Sequence, residues 1–556
     1  MKDLENEITA YALKNAIEFG KADAGRILPK LFQHGLEKDE IKEIMPVIQS
    51  SVKKINSMKP EERAKLFSEY EKYVKVKEEK EKDLPELPHA GKKMVFRLAP
   101  YPSGALHIGN AKTYLINALY AEKYNAKILF VIDDTIGSEE KQIAKEAYKL
   151  IPEAFDWLKV KYEKPIIYKS DRLEIYYKYG EELIKKGKAY VDFTPSEKMR
   201  EMRAKGIESP DRQFPLKIQL ERWKEMFKLK EGEAVLRIKT SMTHPNPAFR
   251  DRVLFKITDR KHPRVGTKYR VWPTLEMSWA IDDHLLGITH IIRGNDLRIE
   301  TDMEKYIWDI FKWKHPEIIH VSLVKLDGVG AKISKSKAQK EVKSGEFIGW
   351  DDPRTWSIQS LKRRGFNPEA IKEFVKEIGL NTQDITVPID ILYAINRRMI
   401  DAESNRYSFI QDPIELKIKN KLDTREVFVP IHPDKKDMRQ LLIDKLFASK
   451  ADLEKYKGKE TRLIHLYNIK VESKDGSAKV TTIDNKDIHK INWVSDFVET
   501  RILMPDGTWI EGIAESSIKE LKNGERIQFE RFGFARFDNK RSENEKGIYE
   551  FWFAHK

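Results

Sequence analysis

A strand, a loop rich in proline and glycine, a helix and a second strand follow one another between residues 94 and 134. Met94–Leu98 suits a short strand, the helix pattern runs from about Ile108 to Tyr124, and the apolar run KILFVIDD ends in two acids. This order predicts a βαβ unit, whose two strands lie parallel in one sheet. Strand-like runs at Thr289–Ile292 and Ile318–Val324, each beside helical segments, extend the same α/β pattern.

The regions around this unit follow other patterns. Residues 1 to about 75 are predicted to be helical, with Ile8, Leu13 and Ile17 near helical spacing. A charged stretch with two prolines follows and ends at about Lys93, as expected of an exposed linker. Residues 167 to 274 interrupt the α/β pattern as an insertion. From about residue 400, short alternating runs between turn signals such as Met504–Gly507 predict β-barrel structure.

The composition limits the class of protein. A chain of 556 residues is too long for one core, and about three to five domains are expected. Lys and Arg number 103 against 89 Asp and Glu, a formal net charge of +14 that favours a polyanionic partner such as nucleic acid. The 35% of charged residues equally suits a thermophile-like protein with a heavily charged surface. Composition alone leaves these two interpretations open.

Cysteine, targeting and membrane signals are absent from the sequence. Without Cys, a disulfide framework and a zinc site built on thiolates are excluded, so no zinc is expected. The N-terminus carries acids where a signal peptide needs a cationic and then an apolar run. No apolar stretch approaches the roughly 20 residues that span a bilayer. We expect a soluble, cytoplasmic protein with no membrane partner.

The loop after the first strand has the features of a phosphate site. Pro100 and Pro102 stiffen the turn, and Gly104 and Gly109 lack the Cβ atoms that would obstruct a close phosphate. His107 stands at the predicted helix N-terminus, where free N–H groups and the helix dipole favour an anion. A plain βα turn with a capping histidine would show the same His and Gly residues.

A second element lies far downstream in the glycine-rich segment LDGVGAKISKSK. There Lys332 and Lys335 flank small hydroxyl residues and could clamp a triphosphate, stabilising charge on a leaving pyrophosphate. A Lys/Ser loop by itself is usually a solvated turn. The pair of motifs, His107-Ile-Gly-Asn110 and Lys332-Ile-Ser-Lys-Ser336, in this order on this fold, resembles the two signatures of class I aminoacyl-tRNA synthetases.

Further segments resemble the glutamyl and glutaminyl branch of that class. They are the run from Arg97 to Asn110, Ile132–Thr135, His244–Asp251, Asp282–Gly294, Trp350–Thr355 and Leu392–Arg397. The resemblance covers roughly residues 92 to 556 and is greatest to archaeal-type glutamyl-tRNA synthetases, which carry β-barrel anticodon domains and a helical N-terminal extension. Bacterial glutamyl enzymes have an all-helical anticodon region, which the C-terminal pattern does not suit.

This resemblance implies a multidomain α/β plus β protein with a split Rossmann-like catalytic domain. The implied regions are a helical N-terminal extension and linker (1–91), the first half of the catalytic domain (92–166), an inserted domain that binds the tRNA acceptor end (167–274), the second half (275–325), a lysine loop of the KMSKS type with a helical connecting domain (326–403) and a β-barrel anticodon-binding region (404–556).

The resemblance also implies site residues. His107 and Lys335, supported by Lys332, would act in catalysis on the phosphates. The implied ATP-binding residues are Pro102, Ser103, Gly104, His107, Gly109, Asn110, Ser334 and Lys335. The implied glutamate-binding residues are Arg97, Asp133, Leu275 and Arg293. ATP would come with Mg²⁺ held mostly by phosphates and water. No metal site is expected on the protein.

The guanidinium groups bear on the choice of amino acid. A buried side-chain carboxylate needs a charged partner, and Arg97 and Arg293 occupy the positions that hold it in glutamyl enzymes. Glutaminyl enzymes typically have an uncharged residue at the position of Arg293, which favours L-glutamate. Arg293 could instead pair with a nearby acid such as Asp282 or Asp296. Asp133 matches the acid that holds the α-ammonium group, although a strand-end acid is commonly a cap.

Several positions depart from the family pattern. Asn110 ends the first motif in place of His, Leu275 stands where relatives often have Tyr, and Trp279 is unusually bulky. Ile136–Glu139 replaces the usual acid and proline after the Asp-Thr pair. None of these changes removes a phosphate-handling group, but the shape of the amino-acid pocket is left open.

The predicted function is ATP-dependent attachment of glutamate to tRNA-Glu through a glutamyl-adenylate, with tRNA-Gln as a possible second substrate. The alternatives are a glutaminyl-tRNA synthetase, an inactive tRNA-binding paralogue and a truncated-type glutamylating enzyme, which the long C-terminal region disfavours. Candidate tRNA contacts, each open to a purely structural role, are Arg200, Arg203, Arg212, Arg222 and Trp223 in the insertion and Arg397, Arg398, Arg406, Phe532 and Phe534 in the C-terminal region.

Overall fold

A computed structural model describes residues 4–37, 39–75, 83–91, 93–137, 142–322, 324–329, 335–543 and 546–556. The chain divides into two compact units, Met1–Lys82 and Asp83–Lys556. Among the described residues, no helix is both long enough and apolar enough to cross a membrane.

The first unit is built from helices around one apolar core. These are α1 (Glu5–Phe19), α2 (Ala24–Leu31), α3 (Ile41–Ser57) and α4 (Pro60–Tyr70). The predicted helical spacing is confirmed, because Ile8, Leu13 and Ile17 all lie on α1; Ile8 and Leu13 are fully buried in the core, whereas Ile17 is exposed. Arg63 is buried, and its guanidinium donates to the backbone carbonyls of Gly20, Ile55 and Asn56 at the C-terminal ends of α1 and α3.

The second unit begins with a parallel sheet. Its elements are β1 (Val95–Leu98), α5 (Ile108–Lys123), β2 (Lys127–Ile132), α6 (Ala147–Trp157) and β3 (Glu163–Tyr168). The three strands pair in the order β1-β2-β3, all parallel, and residues of β1, α5, β2 and α6 share one buried cluster. The C-terminal ends of the strands therefore meet at one edge of the sheet, where Asp133 and Lys169 directly follow β2 and β3.

An antiparallel sheet with its own helices interrupts this fold. Its elements are α7 (Leu173–Lys185), β4 (Ala189–Asp192), α8 (Ser196–Lys205), α9 (Leu216–Met226), β5 (Val235–Ile238), β6 (Val253–Ile257) and β7 (Val271–Pro273). The strands pair in the order β4-β5-β6-β7. Trp223 and Trp272 belong to the buried cluster of this region.

The chain then returns to the parallel layer. It forms α10 (Leu275–Leu285), β8 (His290–Gly294), α11 (Arg298–Phe311) and β9 (Glu317–Val321). Strands β8 and β9 are parallel, and the N–H of Thr289 donates to the carbonyl of Val95, which brings β8 beside β1. The prediction of one strand over Ile318–Val324 is wrong, because β9 ends at Val321 and a separate strand begins at Val324.

A mostly helical segment follows. It comprises β10 (Val324–Asp327), α12 (Lys335–Ser344), α13 (Ile358–Arg363), α14 (Pro368–Ile378), β11 (Ile385–Pro388) and α15 (Ile389–Ile400). β10 and β11 form a separate parallel pair. Apolar residues of α13, α14 and α15 join the cluster that holds α5, so this segment packs on the parallel sheet domain.

The remaining residues are mainly β-strands. They are β12 (Asn405–Tyr407), β13 (Phe409–Gln411), β14 (Pro413–Glu415), β15 (Lys417–Lys419), β16 (Glu426–Pro430), β17 (Met438–Leu442), β18 (Phe447–Ser449), α16 (Lys450–Lys455), β19 (Glu460–Leu463), β20 (Asn468–Val471), β21 (Ser477–Thr482), β22 (Lys490–Ile491), β23 (Phe497–Leu503), β24 (Trp509–Glu515), β25 (Arg526–Phe529), β26 (Gly533–Glu543) and β27 (Lys546–His555).

These strands form two larger sheets. A seven-stranded sheet runs β12-β25-β26-β27-β23-β24-β13, and a five-stranded sheet runs β15-β21-β20-β19-β22. The edge strands of the larger sheet, β12 and β13, are separated along the chain by Ser408 alone, so this sheet curls until its edges nearly meet. The predicted turn at Met504–Gly507 joins β23 to β24, and Gly507 has a φ of +88°, which favours glycine.

Candidate active site

The loop between β1 and α5 is held in place near its start, where the carbonyl of Pro100 accepts from the N–H of Asp133, and at its end. His107 is the N-terminal cap of α5, and its Nδ1 accepts a hydrogen bond from the N–H of Asn110 at 3.3 Å. On the other side, the N–H of Ile108 donates to the carbonyl of Trp356, and the N–H of Ile358 donates to the carbonyl of Leu106. The half-buried imidazole therefore stands at the start of a 16-residue helix, where the helix dipole favours an anion.

Two predicted phosphate-site glycines lie against side chains of the protein. Gly104 has a φ of +138°, and a Cβ built on it would lie 2.2 Å from the indole of Trp350. A Cβ on Gly109 would lie 3.1 Å from the ring of His107. Packing against Trp350 therefore accounts for glycine at position 104, and a phosphate contact at either glycine stays a prediction.

The same tryptophan connects the loop to the helix that begins at Lys335. Trp350, Ala105, Phe347 and Ala338 form one buried apolar cluster. Ala338 is on α12 and Ala105 lies two residues before His107, so α12 packs on the loop that follows β1. Lys332 and Ser334 lie outside the described residues, and Lys335 is described only as the first residue of α12. Pro102 is buried, Ser103 is half-buried and Asn110 is exposed.

Asp133 lies at the carboxyl end of β2 with its carboxylate almost fully buried. Its Oδ1 accepts a hydrogen bond from the hydroxyl of Thr135 at 3.0 Å and lies 3.2 Å from the Nζ of Lys169. Its Oδ2 accepts from the indole Nε1 of Trp279, also at 3.0 Å. Hydroxyl, ammonium and indole groups thus hold this carboxylate in a fixed orientation.

Arg97 and Arg293, predicted to bind the glutamate side chain, are both paired with acids. The Nε of Arg97 donates to Oδ1 of Asp283 at 2.5 Å and its guanidinium lies 3.6 Å from the ring centroid of Trp279. Arg293 forms a bidentate pair with Glu304, at 2.9 and 2.6 Å. The acids suggested as alternatives for Arg293, Asp282 and Asp296, are therefore not its hydrogen-bond partners.

Arg293 nevertheless retains a donor. Its Nε is buried and has no hydrogen-bond partner among the described residues. Leaving a buried N–H without a partner costs free energy. The Nε–H of Arg293 is therefore a strong candidate to donate a hydrogen bond to a ligand. Burial raises the pKa of Glu304, and the guanidinium of Arg293 opposes that shift.

Leu275 and Trp279 lie on successive turns of α10. Leu275 is the first residue of the helix and is half-buried, whereas Trp279 is 2% exposed and reaches Asp133, Arg97 and Lys169. The indole of Trp279 contacts two predicted glutamate-binding residues, Asp133 and Arg97. The departure at Trp279 therefore has more effect on the site than the departure at Leu275.

Four side chains at this site had no role in the sequence-based prediction. They are Lys169, Trp279, Asp283 and Glu304. Trp279 was conspicuous only by its bulk, and Asp283 belongs to the quoted segment Asp282–Gly294 without an assigned role. Lys169 and Glu304 lie in charged stretches that are typical of an exposed surface, and no sequence signal distinguishes them from other charged residues.

The candidate tRNA contacts divide according to their partners. Arg212 pairs with Asp251, Arg222 pairs with Asp211, and Trp223 is 3% exposed in the core, so the expectation of an RNA contact at Trp223 is corrected. Arg200 and Arg203 line a cavity of about 540 Å³.

The C-terminal candidates are also engaged within the protein. Arg397 donates to the carbonyl of Lys556, Arg398 pairs with Glu373, and Arg406 pairs with Asp401. Phe534 is buried and Phe532 packs edge-on against Phe409 and Phe553. Phe534 is therefore in the protein interior, and Phe532 packs, partly buried, against the apolar core of the larger sheet, the role that their alternation with Gly533 favours.

Family descriptions match the chain from residue 93 to residue 538. The family description "tRNA synthetases class I (E and Q), catalytic domain" matches residues 93–402. Its anti-codon binding domain descriptions match residues 404–491 and 478–538.

Individual relatives are similar over their full length. The glutamate–tRNA ligase of Pyrococcus abyssi is 41% identical over 580 residues, covering 100% of both chains. That of Methanocaldococcus jannaschii is 38% identical, covering 97% of this chain and 98% of the relative. A solved glutamate tRNA ligase from Elizabethkingia meningosepticum shares 19% identity at a TM-score of 0.41, over 56% of this chain and 70% of that chain. The chain therefore belongs to the class I tRNA synthetases of the E and Q type.

Proposed function

We propose that this enzyme attaches L-glutamate to tRNA-Glu in an ATP-dependent reaction through a glutamyl-adenylate. Family membership makes it a tRNA synthetase for one of the two amino acids, E or Q. The full-length relatives at about 40% identity carry the name glutamate–tRNA ligase, which favours glutamate. Charging takes place in the cytoplasm, and tRNA-Gln is a possible second acceptor.

One structural observation carries the catalytic part of the proposal. The helix that starts at Lys335 and the loop that ends at His107 share the buried cluster of Ala105, Ala338 and Trp350. Two segments more than 200 residues apart in the sequence are thereby packed together. A triphosphate lying at the N-terminus of α5 would be within reach of both motifs.

The proposed chemistry relies on positioning and charge stabilisation. The glutamate α-carboxylate attacks the α-phosphorus of ATP, the bond to the β-phosphate oxygen breaks, and pyrophosphate leaves. His107 and the helix N-terminus hold phosphate oxygens, and Lys335 with Lys332 stabilises the negative charge that develops on pyrophosphate. Mg²⁺ enters with ATP, bound mainly by phosphate oxygens and water. A ribose hydroxyl of the terminal adenosine of tRNA then takes the glutamyl group and releases AMP.

The amino-acid subsite is proposed at the carboxyl edge of the parallel sheet. Asp133 binds the α-ammonium group, and the unpaired Nε of Arg293 donates to the side-chain carboxylate. Arg97 contributes its positive charge from beneath Trp279 while remaining paired with Asp283. A side-chain amide would gain less from Arg293, because hydrogen bonds between charged groups are about twice as strong as those between neutral groups.

The remaining regions are assigned by the same proposal. The antiparallel sheet that interrupts the catalytic fold contacts the acceptor end of tRNA, and the cavity beside Arg200 and Arg203 is the best candidate for a backbone phosphate. The β-rich region from residue 404 binds the anticodon, since single-stranded bases are recognised by stacking and by contacts to their edges.

The decisive experiment is aminoacylation of separate tRNA-Glu and tRNA-Gln transcripts with radiolabelled glutamate or glutamine. Charging of tRNA-Glu with glutamate, at a kcat/KM at least about a hundredfold above that for glutamine, is the expected result, since a lost ionic contact costs about 3 kcal/mol. Charging with glutamine alone, or no charging of either transcript by folded protein, would contradict the proposal.

A further inference from the structure

A fully buried lysine lies inside the proposed amino-acid subsite. Lys169 directly follows β3, at the same sheet edge as Asp133, and its side chain has 0% exposure. An ammonium group can be buried only if its charge and its N–H donors find partners. Partners for the ammonium of Lys169 are therefore expected among its neighbours.

Three neighbours meet the requirement. The Nζ of Lys169 lies 3.2 Å from Oδ1 of Asp133, donates to the hydroxyl of Ser278 at 2.7 Å and lies 3.4 Å from the ring centroid of Trp279. Of these, Asp133 alone carries a compensating charge. Burial lowers the pKa of Lys169, and the carboxylates of Asp133 and Asp282 oppose that shift.

The same contacts determine what Asp133 has left to offer a substrate. A carboxylate provides about four acceptor positions, two on each oxygen. Oδ1 is engaged by Thr135 and Lys169, and Oδ2 accepts from Trp279. One position on Oδ2 remains in this set of contacts, which is sufficient for one N–H of an α-ammonium group.

We propose that Lys169 is a positioning residue for the amino-acid substrate, a resident counter-ion that balances the charge of the Asp133 carboxylate and orients it for the α-ammonium group. This inference rests on the proposed function, in which Asp133 holds that group. Without the ammonium of Lys169, the buried carboxylate of Asp133 loses its charge partner and one of the three groups that hold it in place, because only Thr135 and Trp279 remain. Glutamate binding would then weaken.

Charged and titratable groups from every neighbouring element face this pair. They are Arg97 on β1, Tyr101 in the following loop, Tyr114 on α5, Asp134 beside Asp133, Tyr176 on α7 and Asp282 on α10. Burial raises the pKa values of all three tyrosines, that of Tyr101 to about 12, so they stay neutral near pH 7. Burial also raises the pKa of Asp282, and Lys169 is the first of the groups that oppose that shift. A test of Lys169 must therefore separate its effect on Asp133 from its effect on Asp282.

The test compares the KM for glutamate in tRNA charging for the wild type and for Lys169→Met. In Lys169→Met the KM for glutamate should rise at least about tenfold, with a smaller change in kcat, because the carboxylate that holds the α-ammonium group is no longer fixed in place. The KM for ATP should remain unchanged.

Three further variants separate positioning from folding. Lys169→Arg keeps the cation and should restore most of the affinity for glutamate. The double variant Lys169→Met with Asp133→Asn removes both charges and should recover the thermal stability lost in Lys169→Met, without recovering glutamate binding. Lys372→Met serves as a matched control, because it removes a lysine that is also largely buried but pairs with Glu122 on a different helix.

Distinct outcomes address the two proposals. A folded Lys169→Met enzyme with the wild-type KM for glutamate would overturn the role of Lys169, as would a Lys169→Arg enzyme with the same loss of glutamate affinity. If Lys169→Met does not fold, recovery of folding in the double variant supports the counter-ion relationship, and no recovery overturns it. A wild-type protein that does not charge tRNA with glutamate would instead refute the proposed function.

Discussion

Arg293 and Glu304 form a buried bidentate ion pair between β8 and α11, with nitrogen–oxygen distances of 2.9 and 2.6 Å. The pair fixes the guanidinium plane and leaves the buried Nε as the donor without a partner among the described residues. A residue held in this way can present one N–H to a ligand without rearranging.

Replacement of Arg293 should impair glutamate use more than ATP use. For Arg293→Gln we expect kcat/KM for glutamate to fall by about tenfold to a hundredfold, which corresponds to the roughly 1.5–3 kcal/mol of a hydrogen bond to a charged group. Steady-state charging kinetics measure this change. Arg298→Gln is the control, because Arg298 is exposed, begins the helix that holds Glu304 and donates to the side-chain oxygen of Asn295. Equal losses in both variants would argue against a specific role for Arg293.

Removal of the Lys335 ammonium should slow adenylate formation. We expect Lys335→Ala to lower pyrophosphate exchange, measured with tRNA present, by about a hundredfold or more, as is common when one group that stabilises transition-state charge is lost. Lys340→Ala removes an exposed lysine from the same helix and should leave the rate near that of the wild type. Undiminished exchange in Lys335→Ala would exclude this lysine from the mechanism.

Gly104 should be intolerant of even one methyl group. In Gly104→Ala the new Cβ would lie 2.2 Å from the Trp350 ring at a φ of +138°, so the loop or the indole must move. We expect an unfolding free energy lower by at least about 1–3 kcal/mol, the usual cost of a strained backbone, and reduced charging. Urea unfolding measures the loss.

The matched control for that variant is Gly287→Ala. Gly287 also has a positive φ, +67°, but a Cβ there would meet nothing within 4 Å. A loss of stability in Gly287→Ala as large as in Gly104→Ala would show that the backbone conformation, rather than contact with Trp350, accounts for the effect.

His555 should make the stability of the protein depend on acidity. Burial lowers the pKa of His555 from 6.5 to about 4, and its Nε2 accepts a hydrogen bond from the side-chain amide of Asn396. Because the folded pKa is below the unfolded one, the contribution of neutral His555 is complete above pH 6.5 and is lost progressively as the pH falls towards about 4. The loss amounts to about 1.4 kcal/mol per pH unit within that window.

Melting temperatures at pH 7.5 and pH 5 provide the measurement for this histidine. The wild type should lose stability between the two, and His555→Gln, which cannot take up a proton, should lose less. His315→Gln alters a more exposed histidine that pairs with Asp309 and should retain the wild-type difference. An unchanged pH dependence in His555→Gln would contradict the assignment.

Local patterns predicted the elements that carry the first motif. The expected strand at Met94–Leu98 is found at Val95–Leu98, and the expected helix from Ile108 to Tyr124 is found at Ile108–Lys123. These predictions succeed because apolar periodicity and the proline- and glycine-rich loop act over a few residues. The identification of the family from motifs of this kind is confirmed by the full-length relatives.

Other sequence-based inferences stay predictions. The roles assigned to His107, Lys335 and Asp133, and the boundaries of the six regions, await the experiments above. Lys332 and Ser334 lie outside the described residues.

The sequence by itself determined the first βαβ unit, the helical N-terminal region and the membership of the class I E and Q synthetases, because each depends on residues close together in the chain. Only the tertiary structure decided the partners of the charged groups: Asp283 for Arg97, Glu304 for Arg293 and Lys169 for Asp133. The physical reason is that an ion pair depends on distance in space, and the residues of the first pair are 186 positions apart in sequence. No local pattern records such a pairing, and burial then decides how strongly it acts.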